Sequence, residues 1–155
     1  VADIVEEIRK YSDRRIIIRP HPRNLLRGIR YSQKALGTLQ LRGVDTSNVI
    51  VSTNLTQGGN QGGEGLAADL NRAHCIVTYN SLSSVEAVEE GVPVFALDGG
   101  SMAHPVAHHD LSQIENLRYD IDLTEWKNRI AYTMWNKEDV QSGECWAHLK
   151  GAYFK

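Results

Sequence analysis

Residues 74–98 constrain the fold most, because their order of residue types predicts a strand, a polar turn, a helix and a second strand. Cys75–Tyr79 is a short apolar run of strand-forming residues that ends in polar ones. Gly91 fits the end of the intervening helix, since glycine readily adopts the left-handed conformation found there. The second strand, Val92–Leu97, has its proline at the start, where a missing N–H matters least. The stretch therefore predicts a βαβ unit.

The polar turn of this unit carries serines at the predicted start of the helix. Ser83 followed three residues later by Glu86 fits a capping box, in which the two side chains satisfy backbone N–H groups reciprocally. Ser81, Ser83 and Ser84 also add hydroxyl groups to a helix N-terminus, which attracts phosphate or carboxylate. Ligands of open parallel sheets bind beyond the carboxyl ends of strands, where this turn would lie. The alternative is that the serines only cap the helix.

A second polar loop follows the apolar run Ile16–Ile18, which is short enough to be a buried parallel strand. The loop begins at Arg19 and continues through a histidine between two prolines to Arg23. The prolines exclude an immediate helix and hold His21 in an extended, rigid turn. An imidazole donates one hydrogen bond, or two when protonated, so His21 suits an anionic ligand. The alternative is a surface loop with incidental charges.

The remaining patterns predict an α/β fold, a Rossmann-like doubly wound parallel sheet with a C-terminal helical tail. Residues 53–65 are rich in glycine without the spacing of a nucleotide-phosphate loop, which favours a mobile lid or a plain connection. The further predicted elements are an amphipathic helix near residues 4–11, a strand at 49–51, a short helix near 66–73, and C-terminal helices over 124–149 that pack on the lobe.

Charge and composition exclude several classes of protein. The formal net charge of −2 gives no electrostatic case for general binding to nucleic acid or membranes, and the basic stretch within residues 25–48 is interpreted as a solvated face. No apolar run approaches the roughly 20 residues that span a bilayer. Two cysteines without metal-binding spacing favour reduced structural thiols in a cytoplasmic protein. We expect a single domain, and interpret a start at Val1 as a fragment of something longer.

A metal site is not predicted. One loop contains His104, His108, His109 and Asp110, all of which can bind metals. Their spacing does not resemble a zinc pattern, and histidines at strand ends are more often simple loop residues. We therefore expect no metal cofactor.

Two motifs in order, Arg19-Pro20-His21-Pro22 and Ser81-Leu82-Ser83-Ser84-Val85-Glu86, resemble those of a known group of enzymes. The group comprises the capsular-polysaccharide, Kdo-transferase-type and sialyltransferase-like glycosyltransferases of the GT-B fold, whose nucleotide-binding lobes carry His-Pro and Ser-Ser/Thr motifs. The tail from Ile114 to Trp146 is also similar to the end of the Kdo-transferase-type proteins. The resemblance covers roughly residues 16–149, and each motif is short.

The resemblance implies roles for individual residues. His21 would contact the phosphate of a nucleotide-sugar donor and stabilise the charge that develops on the departing nucleotide. Glu86 would reach the ribose hydroxyls, in competition with its capping role. The remaining donor-binding residues implied are Arg19, Arg23, Ser81, Ser83 and Ser84. Such sites neutralise the leaving phosphate with preorganised donors and without a metal. A CMP-sugar is the favoured donor, with no further cofactor.

The resemblance also implies what lies outside this chain. In such enzymes the catalytic base and the acceptor site come largely from an N-terminal lobe, so residues 1–155 would form one nucleotide-sugar-binding lobe of a two-lobe protein. Its partners would be the donor, a glycan acceptor and that other lobe. Three alternatives stay open: an enzyme that binds a phosphorylated metabolite, a non-catalytic binding or structural module, and a phage-type glycosyltransferase acting on modified DNA.

Overall fold

The computed structural model describes residues 1–21, 25–52 and 62–153 and has a mixed α/β architecture. The helices and strands of these residues follow in chain order: α1 (Ala2–Arg9), β1 (Ile16–Ile18), α2 (Leu25–Leu41), β2 (Val49–Val51), α3 (Gly62–Leu70), β3 (Ile76–Thr78), α4 (Ser83–Glu89), β4 (Val94–Ala96), α5 (Thr124–Thr133), α6 (Lys137–Ser142) and α7 (Glu144–Tyr153). The predicted βαβ unit is confirmed as β3, α4 and β4.

The strands form two parallel pairs. Strand β1 pairs with β2, and strand β3 pairs with β4, each over three residues. His108 extends the second pair through a parallel bridge to Phe95. Within the described part of the chain no pairing joins β1 to β3. The predicted α/β class with parallel strands is confirmed, whereas the single doubly wound sheet stays a prediction.

Helix α1 connects the apolar cores of the two strand pairs. Its Val5 packs in a cluster with residues of β1, α2 and β2, whereas its Ile8 packs with Phe95 of β4 and with the 3-10 turn at Leu111–Gln113. Ile16 of β1 packs against both clusters. Burying these side chains removes apolar surface from water, which is the main favourable term in folding. The two pairs are therefore held together by packing through α1 and Ile16.

Helix α2 occupies 17 residues of the region whose hydrophobic period is poor in the sequence. Its inner face buries Ala35 and Leu39, and also the polar residue Ser32. The Ser32 hydroxyl donates to the carbonyl oxygen of Gly28 at 3.0 Å, so its burial leaves no unpaired donor. Because Ser32 is polar, the buried face of α2 does not show a regular helical spacing of apolar residues in the sequence.

The predicted capping box of α4 is wrong. The N-cap position is Leu82, which offers no side-chain hydrogen bond. Ser81, one residue earlier, instead accepts from the N–H of Ser83 at its hydroxyl, at 3.3 Å, and from the N–H of Ser84 at its carbonyl, at 3.0 Å. The helix thus starts after a serine turn, and Glu86 is exposed. Gly91 has a φ of 73° and follows the helix as predicted.

The chain divides into two compact units: a first unit of residues 1–119 and a second unit of residues 120–155. Within the second unit, the Asn136 side chain caps α6 by accepting from the N–H of Asp139 at 2.8 Å. Gly143 ends α6 with a φ of 81°, which favours glycine. The ring of His148 on α7 lies 5.9 Å from that of Tyr132 and 5.3 Å from that of Trp135. Packing of residues 124–149 on the lobe stays a prediction.

In the described ranges, no helix combines the length and the apolar character needed to cross a membrane.

Phe95→Ala should strongly destabilise the first unit, because Phe95 of β4 is fully buried in a cluster with Ile8 of α1 and with Leu111. Truncating a buried phenylalanine costs about 3–5 kcal/mol through lost burial and the cavity left behind. Urea unfolding measures the loss. Tyr119→Ala, at a largely exposed aromatic residue of the same unit, is the control and should change stability little. Equal losses in the two variants would contradict the described core.

Candidate functional site

The carboxyl ends of β1 and β2 are joined by one carboxylate. Asp69, in the last turn of α3, accepts from the Arg19 guanidinium at 2.5 Å and from the Ser52 hydroxyl at 3.0 Å. Arg19 also donates to the carbonyl oxygen of Gly65 at 3.1 Å. The Arg19 and Asp69 side chains are only 20% and 18% exposed, so water screens this ion pair less than a surface pair. A ligand phosphate at Arg19 would compete with Asp69.

His21 follows directly on this network and is exposed. Its position depends on Gly28 of α2, where an added Cβ would lie 2.8 Å from the Cβ of Pro20. That approach is closer than real Cβ atoms make, so only glycine lets α2 pack this tightly on the loop. Arg23 lies outside the described residues, and its predicted role stays a prediction.

The serines at the carboxyl end of β3 divide into two kinds. The Ser81 and Ser83 hydroxyls lie 2.8 Å apart at the surface of the turn, where Ser81 is exposed and Ser83 half-buried. Ser84 is fully buried, and its hydroxyl donates to the carbonyl oxygen of Ser81 at 2.6 Å. Ser81 and Ser83 can therefore meet a ligand directly, whereas Ser84 fixes the turn that carries them.

The loop after β4 lies against this serine turn. The Ser84 hydroxyl is 3.5 Å from the hydroxyl of Ser101, which is buried too. Asp98 accepts from the N–H of Gly100 at 2.7 Å, and a Cβ on Gly100 would lie 3.5 Å from the Asn80 amide nitrogen. The carboxyl ends of β3 and β4 are thus joined by polar contacts, as those of β1 and β2 are.

Sequence reasoning missed several residues of this arrangement. Asp69 stands in an ordinary helical pattern, and nothing in its neighbourhood marks it as a partner of Arg19, 50 positions earlier. Gly28 and Ser101 are equally inconspicuous. Only the strand-end position of Asp98–Ser101, after an apolar run, could have indicated that this loop meets the serine turn.

The described contacts place the predicted site residues in two groups. Arg19 and His21 belong with Ser52, Asp69 and Gly28 at the first strand pair. The serines belong with Ser101, Asn80 and Gly100 at the second pair. Glu86 lies on the exposed side of α4.

The histidines of the loop after β4 are arranged by stacking. His104 and His109 stack with ring centroids 4.0 Å apart, and buried His108 stacks on Phe95 at 5.1 Å. Within residues 1–21, 25–52 and 62–153, no three His, Cys, Asp or Glu side chains converge as a metal site would require.

Two buried polar atoms at the second strand pair have no hydrogen-bond partner among the described residues: the Thr78 hydroxyl at the end of β3 and the Nε2 atom of His108. Burial lowers the pKa of His108, an effect that outweighs the backbone hydrogen bond at Arg118 acting in the opposite direction. Burial likewise raises the pKa of the Cys75 thiol to about 11, so this cysteine is almost entirely protonated at neutral pH.

A cleft of about 550 Å³ lies at the other, amino-terminal ends of β1 and β2. Arg9 lines it and donates to the carbonyl oxygens of Ser12 and Arg14 at 3.1 and 2.7 Å. The cleft is open, and its arginine is engaged in holding the turn before β1. Since the arginine of this cleft serves the fold, we place the candidate site at the carboxyl ends of the strands.

Comparison of the chain with protein-family models, curated proteins and solved structures finds no significant match.

Asp69→Asn should destabilise the first unit by about 1–3 kcal/mol, because the Arg19 guanidinium, which is largely shielded from water, loses its charged acceptor. Thermal or urea unfolding measures the change. Glu7→Gln is the control: it removes a carboxylate from a well-exposed ion pair with Lys10, which contributes little. Equal losses in the free energy of unfolding for the two variants would show that Asp69 does not stabilise the ends of β1 and β2.

Stability should fall between pH 7.5 and 5.5 in a manner that depends on His108. Unfolded His108 binds a proton near its ordinary pKa of about 6.5, whereas the folded protein resists protonation because the ring is buried. Neutral His108 therefore makes its full contribution to the free energy of unfolding above about pH 7, and this contribution is lost as the pH falls. The free energy of unfolding should decline more between pH 7.5 and pH 5.5 in the wild type than in His108→Gln. A parallel decline in both proteins would contradict this role.

Proposed function

We propose that this chain is the donor-binding lobe of a metal-independent glycosyltransferase, with its two parallel pairs belonging to one doubly wound lobe of the GT-B type. The observation that carries the proposal is the position of polar loops at the carboxyl ends of both pairs: an exposed histidine follows β1, and surface serine hydroxyls follow β3. Parallel α/β proteins bind ligands at this edge. The free thiol of half-buried Cys75 supports the cytoplasmic location that we propose.

In this proposal the first-pair loop neutralises the leaving group. During transfer the bond between the sugar's anomeric carbon and the phosphate oxygen breaks, and negative charge grows on the nucleotide. In the proposal His21 donates a hydrogen bond to that phosphate and Arg23 supplies positive charge, whereas the charge of Arg19 is already balanced by Asp69. Donors held in advance by rigid loops stabilise such charge without reorganising. The contact between Gly28 and Pro20 supplies that rigidity at His21.

The serine turn holds the same phosphate from the second pair. The Ser81 and Ser83 hydroxyls are hydrogen-bonded to each other at 2.8 Å, and a phosphate that accepts from both replaces this bond. Ser84 acts through the turn, because its own hydroxyl is buried and donates to Ser81. Exposed Glu86 is one turn along α4 and accepts from the ribose hydroxyls, with no capping bond at the start of the helix to hold it.

The other half of the reaction lies beyond these residues. The acceptor hydroxyl must lose a proton as it attacks the anomeric carbon, and we nominate no base for that proton in this chain. We propose that the base and much of the acceptor site come from a second lobe. A CMP-sugar is the proposed donor, with a glycan as the acceptor implied by the resemblance.

Nucleotide binding tests the proposal. Thermal-shift titrations with CMP, UDP, GDP and their sugar conjugates, without added metal, should show stabilisation by one nucleotide class. Saturation at 100 times the dissociation constant adds about 2.7 kcal/mol. His21→Ala and Ser83→Ala should each weaken binding by about 1–3 kcal/mol with little change in melting temperature, because both remove charge-assisted hydrogen bonds from surface groups.

Two control variants separate binding from folding. Ser84→Ala should lower the melting temperature, since it deletes a buried hydrogen bond. His148→Ala removes a histidine of the second unit and should leave nucleotide affinity unchanged. No stabilisation by any nucleotide would favour a non-catalytic module instead. Transfer or isomerisation catalysed by this chain alone would favour an enzyme that acts on a phosphorylated metabolite.

A further inference from the structure

The outer face of α2 concentrates positive charge. The helix contains Arg27, Arg30 and Lys34, and no acidic residue occurs anywhere in its 17 residues. All three cations are exposed. Residues spaced by three, four and seven positions share one side of a helix, so the three cations and Tyr31 form a single stripe about 10 Å long. Leu39 and Ala35 occupy the opposite, buried side.

Two cations of this stripe are not held by carboxylates, unlike several arginines of the first unit. Arg14, Arg19 and Arg42 each pair with a carboxylate. By contrast, Arg30 and Lys34 form no ion pair with any residue that the structure describes. A run of cations without carboxylates on the same helix attracts polyanions, because few local negative charges cancel its field.

The stripe also exposes an aromatic surface. Tyr31 is 57% exposed, and the Arg27 guanidinium lies over its ring at 5.5 Å while donating to its hydroxyl at 3.2 Å. Leu26, one residue before Arg27, is 76% exposed. Cations interleaved with an exposed aromatic ring match single-stranded nucleic acids, whose phosphates pair with cations and whose bases stack on rings. A sulfated or carboxylated glycan would use the cations but has no aromatic bases to stack on the ring.

The helix that carries the stripe packs by its inner side against the residue before His21. Gly28, on the inner side of the same helix turn as Arg27, contacts Pro20 immediately before His21.

We propose that the Arg27, Arg30, Tyr31 and Lys34 face of α2 binds a nucleic-acid strand. The formal net charge of −2 conceals the surface, because acidic residues elsewhere balance it.

Fluorescence anisotropy with a labelled 20-nucleotide single strand, and with the matching duplex, tests the proposal on the full chain between 25 and 200 mM salt. Binding should weaken as salt rises. The double variant Arg30→Gln/Lys34→Gln should lower affinity at least fivefold at 50 mM salt. It should also reduce the slope of log affinity against log salt by about 1.4 for the single strand, since each lost phosphate contact contributes about 0.7. Tyr31→Ala should weaken single-strand binding about fivefold or more.

The matched control is Lys127→Gln/Lys137→Gln, which removes two exposed lysines of the second unit and the same net charge. It should leave the affinity and the salt slope unchanged. Absence of binding at 25 mM salt would overturn the proposal, as would equal effects of the two double variants. Tighter binding of a heparin-type oligosaccharide of the same length than of the single strand would overturn nucleic acid as the partner.

The same proteins distinguish this proposal from the donor site. Nucleotide-induced thermal shifts should be unchanged in Arg30→Gln/Lys34→Gln. Nucleic-acid binding without any nucleotide shift in wild type would refute the donor site and leave the α2 surface standing. The reverse result would refute the surface alone.

Discussion

Packing through α1 and Ile16 is the constraint on which the first unit depends. Strands of three residues bury little by themselves, and two-stranded sheets are marginally stable in water. Each pair gains a core because α1 places Val5 over one and Ile8 over the other, while Ile16 packs in both clusters. The positions of the strand ends, and of everything attached to them, follow from this shared apolar layer.

Polar contacts then complete each pair at its carboxyl end. Asp69 links the exits of β1 and β2 through Arg19 and Ser52, and Ser84 with Ser101 links the loops after β3 and β4. The sequence motifs assign the Arg19 and Ser84 side chains to ligand binding, but both already form hydrogen bonds within these networks. Arg19 has a carboxylate partner and Ser84 is buried, so direct ligand contact falls more naturally on His21, Ser81 and Ser83. The site motifs thus combine residues that can bind with residues that support them.

The sequence predicted what depends on local patterns. The strands at 16–18 and 49–51, the βαβ unit and the glycine that ends α4 were all readable from apolar runs and turn residues. Helix α2 was not, because buried Ser32 interrupts the apolar period. The pairing of Asp69 with Arg19 joins positions far apart in the chain, which no local pattern encodes. The net charge gives no indication of the basic face of α2, because a sum of charges carries no information about where they lie.

In the proposed function, the loops after β1 and β3 form one binding edge for the phosphate of a nucleotide. An amide-resolved NMR titration of the chain with CMP and a CMP-sugar is the sharpest test. Saturating nucleotide should shift the amide signals around His21 and Gly28 together with those of Ser81–Ser84, along one common binding curve. Shifts confined to one of the two loops, or centred on the cleft at Arg9, would contradict it.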